Sequence, residues 1–483
     1  MDFTFGKLAN RPELPAIKWN PDSRESMNPH MLLCGGTGAG KTTLLLNIAK
    51  YLALANKHIF IFDLKGDMIV KDDDGNKIGN YIEFTAWNSK YGINPFEFDT
   101  GVIGEELEDI VSSGNMNDGQ RFKVQNSGPK VQVERIIEII KKNFLPNMGT
   151  NQKDILMYLF SDTYLSKDFK YNDVTTWLNE LPSLEDTQEL IERIKSNNLN
   201  YNGTVIDEES VDLIIAIQSD IVGIKSLNSS LDGADNKEEV EGLADTLRRK
   251  IHERVDGYID FGIKNYSEKN ISINKEWFEA RNINVDKYSS KEAIRTIEKM
   301  SSYINALVDS GVFHSTRPPV KNGLNVINIS GLDVGIQRFI VDVWIGKVFK
   351  SCKIRGTYSE RADKRRGEKC DTYVMVDESK LIAGTARDKN DPYSYLNRTA
   401  TEARGFGFGI IVAAQSAEHF PPEFLKNFDA QIILNTGIAD FDSVRKSFGI
   451  DKPLLEFTQN GWGNALVKTG KKFSKVKLIS LSA

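Results

Sequence analysis

Short, continuous apolar runs dominate the first hundred residues and return after residue 320. MLLC (31–34) and HIFIFDL (58–64) have strand length and no alternation, the texture of strands buried on both faces. Between them, TTLLLNIAKYLALAN carries its apolar residues at helical spacing. YIEFTAW (81–87) reads as a third strand at an edge. LNVINIS (324–330) resumes the pattern, and QRFIVDVWIGKVFKSC (337–352) reads as a buried helix. TYVMVDES (372–379), GIIVAAQS (409–416) and AQIILNT (430–436) add three buried strands, and NALVKTGKKFSKVKLISLS predicts a terminal hairpin. Strands alternating with helices predict an α/β fold, a doubly wound and mainly parallel sheet. In such a sheet the ligand sits at the carboxyl ends of the strands.

From about 100 to 318 the texture is different. KVQVERIIEIIKKNF, NQKDILMYLFSDTYL and KEEVEGLADTLRRKIHERV are long amphipathic stretches, separated by polar loops such as GNMNDGQ and SSLDGADNK. This predicts a large, mostly helical insertion. The expected division is an N-terminal arm over 1–28, an α/β domain over 29–100 and 320–483, and a helical insertion domain over 101–319. Pro12, Pro15, Pro21 and Pro29 make the arm extended.

Composition narrows the class. With 40% hydrophobic and 27% charged residues over 483 positions, the chain reads as an ordinary globular protein. Lys and Arg number 62 against 67 Asp and Glu, so no whole-chain basic field exists, and a nucleic-acid surface has to be local, as in a pore. Three scattered cysteines, Cys34, Cys352 and Cys370, argue against a disulfide framework or a zinc site and for a reducing cytoplasm. The N-terminus has no apolar core of a signal peptide, and no run reaches the ~18 apolar residues of a membrane span, so no membrane insertion is expected.

Between the first strand and the first helix stands Gly35-Gly36-Thr37-Gly38-Ala39-Gly40-Lys41-Thr42, with Thr43 following. It fits G-x-x-x-x-G-K-[ST] in its required strand–loop–helix setting. Glycines let backbone N–H groups wrap phosphates, Lys41 reaches the β and γ phosphates, and the Thr42 hydroxyl ligates Mg²⁺. Asp377 and Glu378 end the apolar run Tyr373–Val376. Asp377 is placed in the Mg²⁺ shell and Glu378 as the general base that polarises water. Together these features predict Mg-ATP binding and hydrolysis.

Other candidates are less decisive. Gln415 ends GIIVAAQ, either to sense the γ-phosphate or merely to terminate a strand. Arg404, then Arg398, precede that strand and could act on a neighbouring subunit's nucleotide, or lie on a solvated face; Arg445 is a third option. The turn Asp63-Leu64-Lys65-Gly66-Asp67 either positions metal or nucleic acid or is a plain turn. The charged loop 353–369, with Lys353, Arg355, Arg361, Lys364, Arg365, Arg366 and Lys369, and the Lys468–Lys477 cluster are phosphate-backbone contacts or solvated runs.

The order of these pieces resembles the HerA/FtsK superfamily of RecA-like P-loop ATPases. The resemblance is carried by GGTGAGKTT, FDLKGD, Ile93-Asn94-Pro95, LNVINISGLD before a long helix, VMVDES, and EARGFGFGIIVAAQS. It implies that Gln415 senses nucleotide and that Arg404 acts towards a neighbouring subunit. It also implies a homo-oligomeric ring, usually a hexamer, with double-stranded DNA through its pore. HerA proteins carry an N-terminal β-barrel, whereas about thirty residues precede Gly35 here. The function expected is a DNA-translocating ATPase motor. The alternatives are a protein-handling secretion or conjugation ATPase, and a ring that gates a partner nuclease.

Overall fold

A computed structural model describes residues 2–23, 26–98, 128–171, 173–199, 219, 221–223, 237–261, 275–359, 367–378, 402–416, 420 and 422–479. The chain divides into two compact units. The larger is Met1–Thr187 with Met300–Ala483, the smaller Gln188–Lys299.

The larger unit is built on an eleven-stranded sheet: β1 Phe3–Leu8, β2 Ile17–Trp19, β3 Met31–Cys34, β4 His58–Asp63, β5 Asn80–Glu83, β6 Leu324–Asn328, β7 Thr372–Val376, β8 Phe408–Ala414, β9 Ala430–Ile433, β10 Asn464–Thr469 and β11 Ser474–Leu478. Their order is β2-β1-β11-β10-β9-β3-β8-β7-β4-β6-β5. The seven strands from β9 to β5 run parallel. The four beyond β9 are antiparallel and include the terminal hairpin β10–β11. The α/β, mainly parallel reading of the sequence holds. The N-terminal arm is extended, but β1 and β2 also extend the sheet, because Phe3, Phe5 and Trp19 bury their rings there.

Alternate residues of the central strands serve two layers. Met31, Leu33, Ile59, Ile61, Met375 and Ile411 face the first helix, α1 Lys41–Leu54, through its buried Leu44, Leu45, Ile48 and Leu52. On the other face Phe60, Phe62 and Phe84 set their rings 6.0–6.3 Å from Trp344 of a long helix, Val334–Ile354. At roughly 25 cal/mol per Å² of apolar surface, such two-sided burial is the main stabilising term.

Two helices from the stretch expected to be an insertion, α2 Pro129–Asn143 and α3 Thr150–Ser166, belong to the larger unit. The Ile93-Asn94-Pro95 tripeptide helps to bind them. Gln132 Nε2 donates to the Pro95 carbonyl at 2.5 Å, Tyr164 donates to that of Phe96, and Asn94 Nδ2 donates to that of Pro182 at 2.8 Å. Lys142 Nζ meets Asp342 of the long helix at 2.6 Å. The smaller unit is helical in its described residues, with most of Leu184–Leu199, the helix Lys237–Phe261 and the start of Lys291–Asp309. Within it, Arg193 and Arg281 each lie 4.5 Å from the Trp277 ring.

One buried cation ties the arm to the sheet. Lys57, just before β4, donates to Glu368 at 2.7 Å, Asp22 at 2.9 Å and the Cys370 carbonyl at 2.6 Å. Burial opposes its charge, but the bonds to Glu368 and Asp22 hold its pKa above the ordinary lysine value. Lys57→Met leaves the Glu368 carboxylate with the Tyr358 hydroxyl but without its cation, and the expected loss is about 3–5 kcal/mol, read as a lower denaturant midpoint. A loss under about 1 kcal/mol would mean that water replaces the pair freely.

Candidate active site

β3 ends in the middle of the sheet, and the chain cannot continue as strand because glycines follow. Gly35 N–H donates to the Ala414 carbonyl of β8 at 3.1 Å, and Gly36 N–H to the Asn435 carbonyl beyond β9 at 2.7 Å. The loop is thus pinned to both neighbouring strands. Gly38 (φ 75°) and Gly40 (φ 91°) take left-handed backbone that other residues adopt only with strain. Gly40 then caps α1, whose first residue is Lys41. The amino end of a 14-residue helix faces the loop, the ordinary setting for an anion.

Lys41 Nζ donates to the carbonyls of Gly35 and Gly36, both at 2.8 Å. Burial lowers its pKa, and the nearby Asp377 and Glu378 charges oppose that fall. Thr42 Oγ1 donates to Asp377 Oδ2 at 2.6 Å. Thr37 and Thr43 are exposed. Cys34 is packing rather than chemistry, since burial pushes its thiol up to about 12.

Glu378 follows Asp377 off the end of β7, with a left-handed φ of 56°. Its Oε1 accepts from Lys65 Nζ at 2.6 Å and from Gln415 Nε2 at 3.3 Å. The Lys65 bond is the main reason its pKa lies below the ordinary glutamate value. Lys65 stands in the turn after β4, which Asp63 organises. The Asp63 carboxylate accepts backbone N–H bonds from Lys65, Gly66, Asp67 and Met68. This ordered turn delivers a cation to Glu378. Sequence reasoning named Lys65 without its partner, which is set by β4 lying beside β7.

Thr42 and Asp377 offer two hard oxygen donors side by side. Mg²⁺ takes few protein ligands and completes its octahedron with phosphate and water oxygens, so this pair fits it. Burial and the charges of Asp63 and Asp377 raise the pKa of nearby Asp67, and a divalent cation would relieve that crowding. Among the described residues no group of three or more His, Cys, Asp or Glu forms a self-sufficient metal site.

The structure brings Gly35–Thr42, Asp377, Glu378 and Gln415 to one edge of the sheet. The backbone of Arg404 lies in the short turn Ala403–Phe406 before β8. Arg398 lies outside the described residues, as do Arg361, Lys364, Arg365 and Arg366. Arg445 pairs with Asp442 on its own exposed helix at 3.4 Å. The described part of the charged loop enters β7 from the amino end of the sheet, away from the glycine loop, where Arg355 pairs with Asp371 and Lys369 binds the Ser23 and Ser26 carbonyls. A cavity of about 520 Å³, reached from His58, Trp344 and Arg355, also opens at that amino end and is separate from this site.

A family model described as helicase HerA, central domain, matches residues 3–348. The chain belongs to this HerA family. It is a P-loop ATPase and binds nucleotide. The Probable helicase MJECL08 of Methanocaldococcus jannaschii is 25% identical over 224 residues. That alignment covers 45% of this chain and 42% of the relative, so less than half of the relative is matched. VirB4 of Thermoanaerobacter pseudethanolicus superposes with a TM-score of 0.57 at 11% identity, over 99% of this chain and 96% of that one, and so shares the fold. Among the described residues, no helix is long and apolar enough to cross a membrane.

The Lys65–Glu378 pair sets a pH expectation. A depressed pKa keeps Glu378 ionised as pH falls, so the acid limb of kcat/KM lies below the ordinary glutamate value of 4.5. Lys65→Met removes the cation, and the limb moves up. An unmoved limb would mean that Glu378 is not the group being titrated.

Proposed function

We propose that this HerA-family chain is the subunit of a homo-oligomeric ring, a hexamer, that hydrolyses Mg-ATP to drive double-stranded DNA through its pore, in the cytoplasm. The observation that carries the hydrolytic half is the convergence of Thr42–Asp377 and Lys65–Glu378–Gln415 beside the glycine loop. The DNA half is supported by the family's description as a helicase and by the name of the M. jannaschii relative.

In this reading the backbone N–H groups of Gly35 to Thr43 wrap the phosphates at the amino end of α1. Lys41 leaves the Gly35 and Gly36 carbonyls for the more strongly accepting β and γ phosphates. Thr42 and Asp377 hold Mg²⁺, which when bound neutralises phosphate charge. Glu378 takes the proton of the attacking water, and Lys65 keeps its carboxylate ionised until then. Gln415, bonded to the same carboxylate, senses whether a γ-phosphate is present. Arg404 precedes Gln415's strand and completes a neighbouring subunit's site. The motor moves its track by contacts with phosphates, which a chain of net charge −5 has to concentrate in the pore.

The test is the steady-state ATPase rate with and without double-stranded DNA at low and moderate salt. A large stimulation that fades with salt is expected. Its absence would contradict the DNA reading and favour a protein-handling ATPase or one that gates a nuclease. Arg404→Ala should cut turnover by about a thousandfold, the scale of an arginine finger, with little change in nucleotide affinity. Mixing it with Glu378→Gln subunits should restore part of the activity; no recovery at any ratio would rule out action between subunits.

A further inference from the structure

The two sides of the phosphate loop are built differently. On the β8–β7–β4 side lie Gln415, Asp377, Glu378 and Lys65. On the β9–β10 side a cleft of about 320 Å³ runs from Gly36–Ala39, past Leu434 and Asn435 after β9, to the turn before β10. That turn presents Trp462, which is 64% exposed although it is the largest apolar side chain in the cleft. An indole this open is normally an interaction surface.

The turn is not loose. Gly461 (φ 148°) and Gly463 (φ 77°) flank Trp462 with backbone conformations that favour glycine. The Trp462 carbonyl accepts from Lys477 of β11, and Asn464 Nδ2 donates to the Phe457 carbonyl at 3.2 Å. The ring is thus presented by a fixed frame, and its face costs little ordering entropy to use.

Direction supplies the remaining step. A triphosphate on the glycine loop with its terminal phosphate towards Thr42–Asp377 and Glu378 has to extend its nucleoside the opposite way. The opposite way is the β9–β10 cleft. We propose that Trp462 is the platform on which the base of the bound nucleotide stacks, a specificity-determining contact for nucleosides that rests on Gly35–Thr42 being the phosphate site. Every base offers a π-face, so the contact adds affinity without choosing among bases. Gln459, also in the cleft, already donates to the Thr436 carbonyl at 3.4 Å, which leaves base selection weak.

The experiment compares Trp462→Ala and Trp462→Phe with the parent full-length chain, using Mg-ATP, Mg-GTP and magnesium tripolyphosphate, which has the phosphates and no base. Trp462→Ala should raise KM for ATP and GTP alike by about tenfold, the scale of one base–aromatic stack, and Trp462→Phe should recover most of it. Tripolyphosphate inhibition should be the same in all three proteins. Nucleotide, but not tripolyphosphate, should quench tryptophan emission in the parent, and that quench should vanish in Trp462→Phe. An unchanged KM and quench in both variants, with tripolyphosphate still inhibiting, would overturn the stacking role and leave the phosphate site standing. Failure of tripolyphosphate to inhibit the parent would instead overturn the phosphate-site reading and the stacking role with it.

Discussion

Parallel register is the constraint on which the site depends. β3, β8, β7 and β4 run in the same direction, in register at Leu33–Ala413, Met375–Ile411 and Phe62–Val376. Their carboxyl ends therefore arrive together at one edge. β3 and β7 are two strand spacings apart, roughly 10 Å, with β8 between them. The glycine loop and the first turn of α1 cross that gap, so Thr42 reaches Asp377 from 335 positions away in the chain. Reversing β7 would send Asp377 and Glu378 to the far end of the sheet, and reversing β8 or β4 would do the same to Gln415 or Lys65.

Within that frame Glu378 meets two opposed demands. A general base has to be ionised, and it also has to be free to face water. Lys65 and Gln415 answer the first by holding its carboxylate. The left-handed backbone at Glu378 stores about 1–3 kcal/mol of strain, which persists only because neighbouring contacts hold it. The Lys65 pair is partly exposed, with side-chain accessibilities of 48% and 30%, so its net worth is small and it exchanges easily. A weak clamp on a strained residue suits a site that changes partners in every cycle.

Much of this was legible in the sequence because buried parallel strands leave continuous apolar runs, and because a phosphate loop is local. GGTGAGKTT between MLLC and an amphipathic helix carries its own context, and VMVDES ends a strand in two acids. What stayed hidden depends on strand order, which no local pattern encodes. Lys65 meets Glu378 only because β4 pairs with β7, and Trp462 shares a cleft with the loop only because β10 folds back along β9. The arm's membership of the sheet was masked by prolines and by a short run in which only Phe3, Phe5 and Trp19 report burial. The Ile93-Asn94-Pro95 tripeptide was recognisable as a family feature, yet its work is visible only in three dimensions: the Pro95 carbonyl holds α2, and that of Phe96, the next residue, holds α3.

The central claim is that the carboxylate opposite Thr42–Asp377 activates the water. The most direct measurement is ATP affinity together with single-turnover hydrolysis in Glu378→Gln. The amide keeps the shape, and its oxygen can still accept from Gln415 Nε2, but it cannot take the proton of the water. The account requires ATP binding close to that of the parent, with hydrolysis slowed by about 10²–10⁴-fold, the usual contribution of a positioned base. Hydrolysis at the parental rate would contradict it and assign the water to another residue.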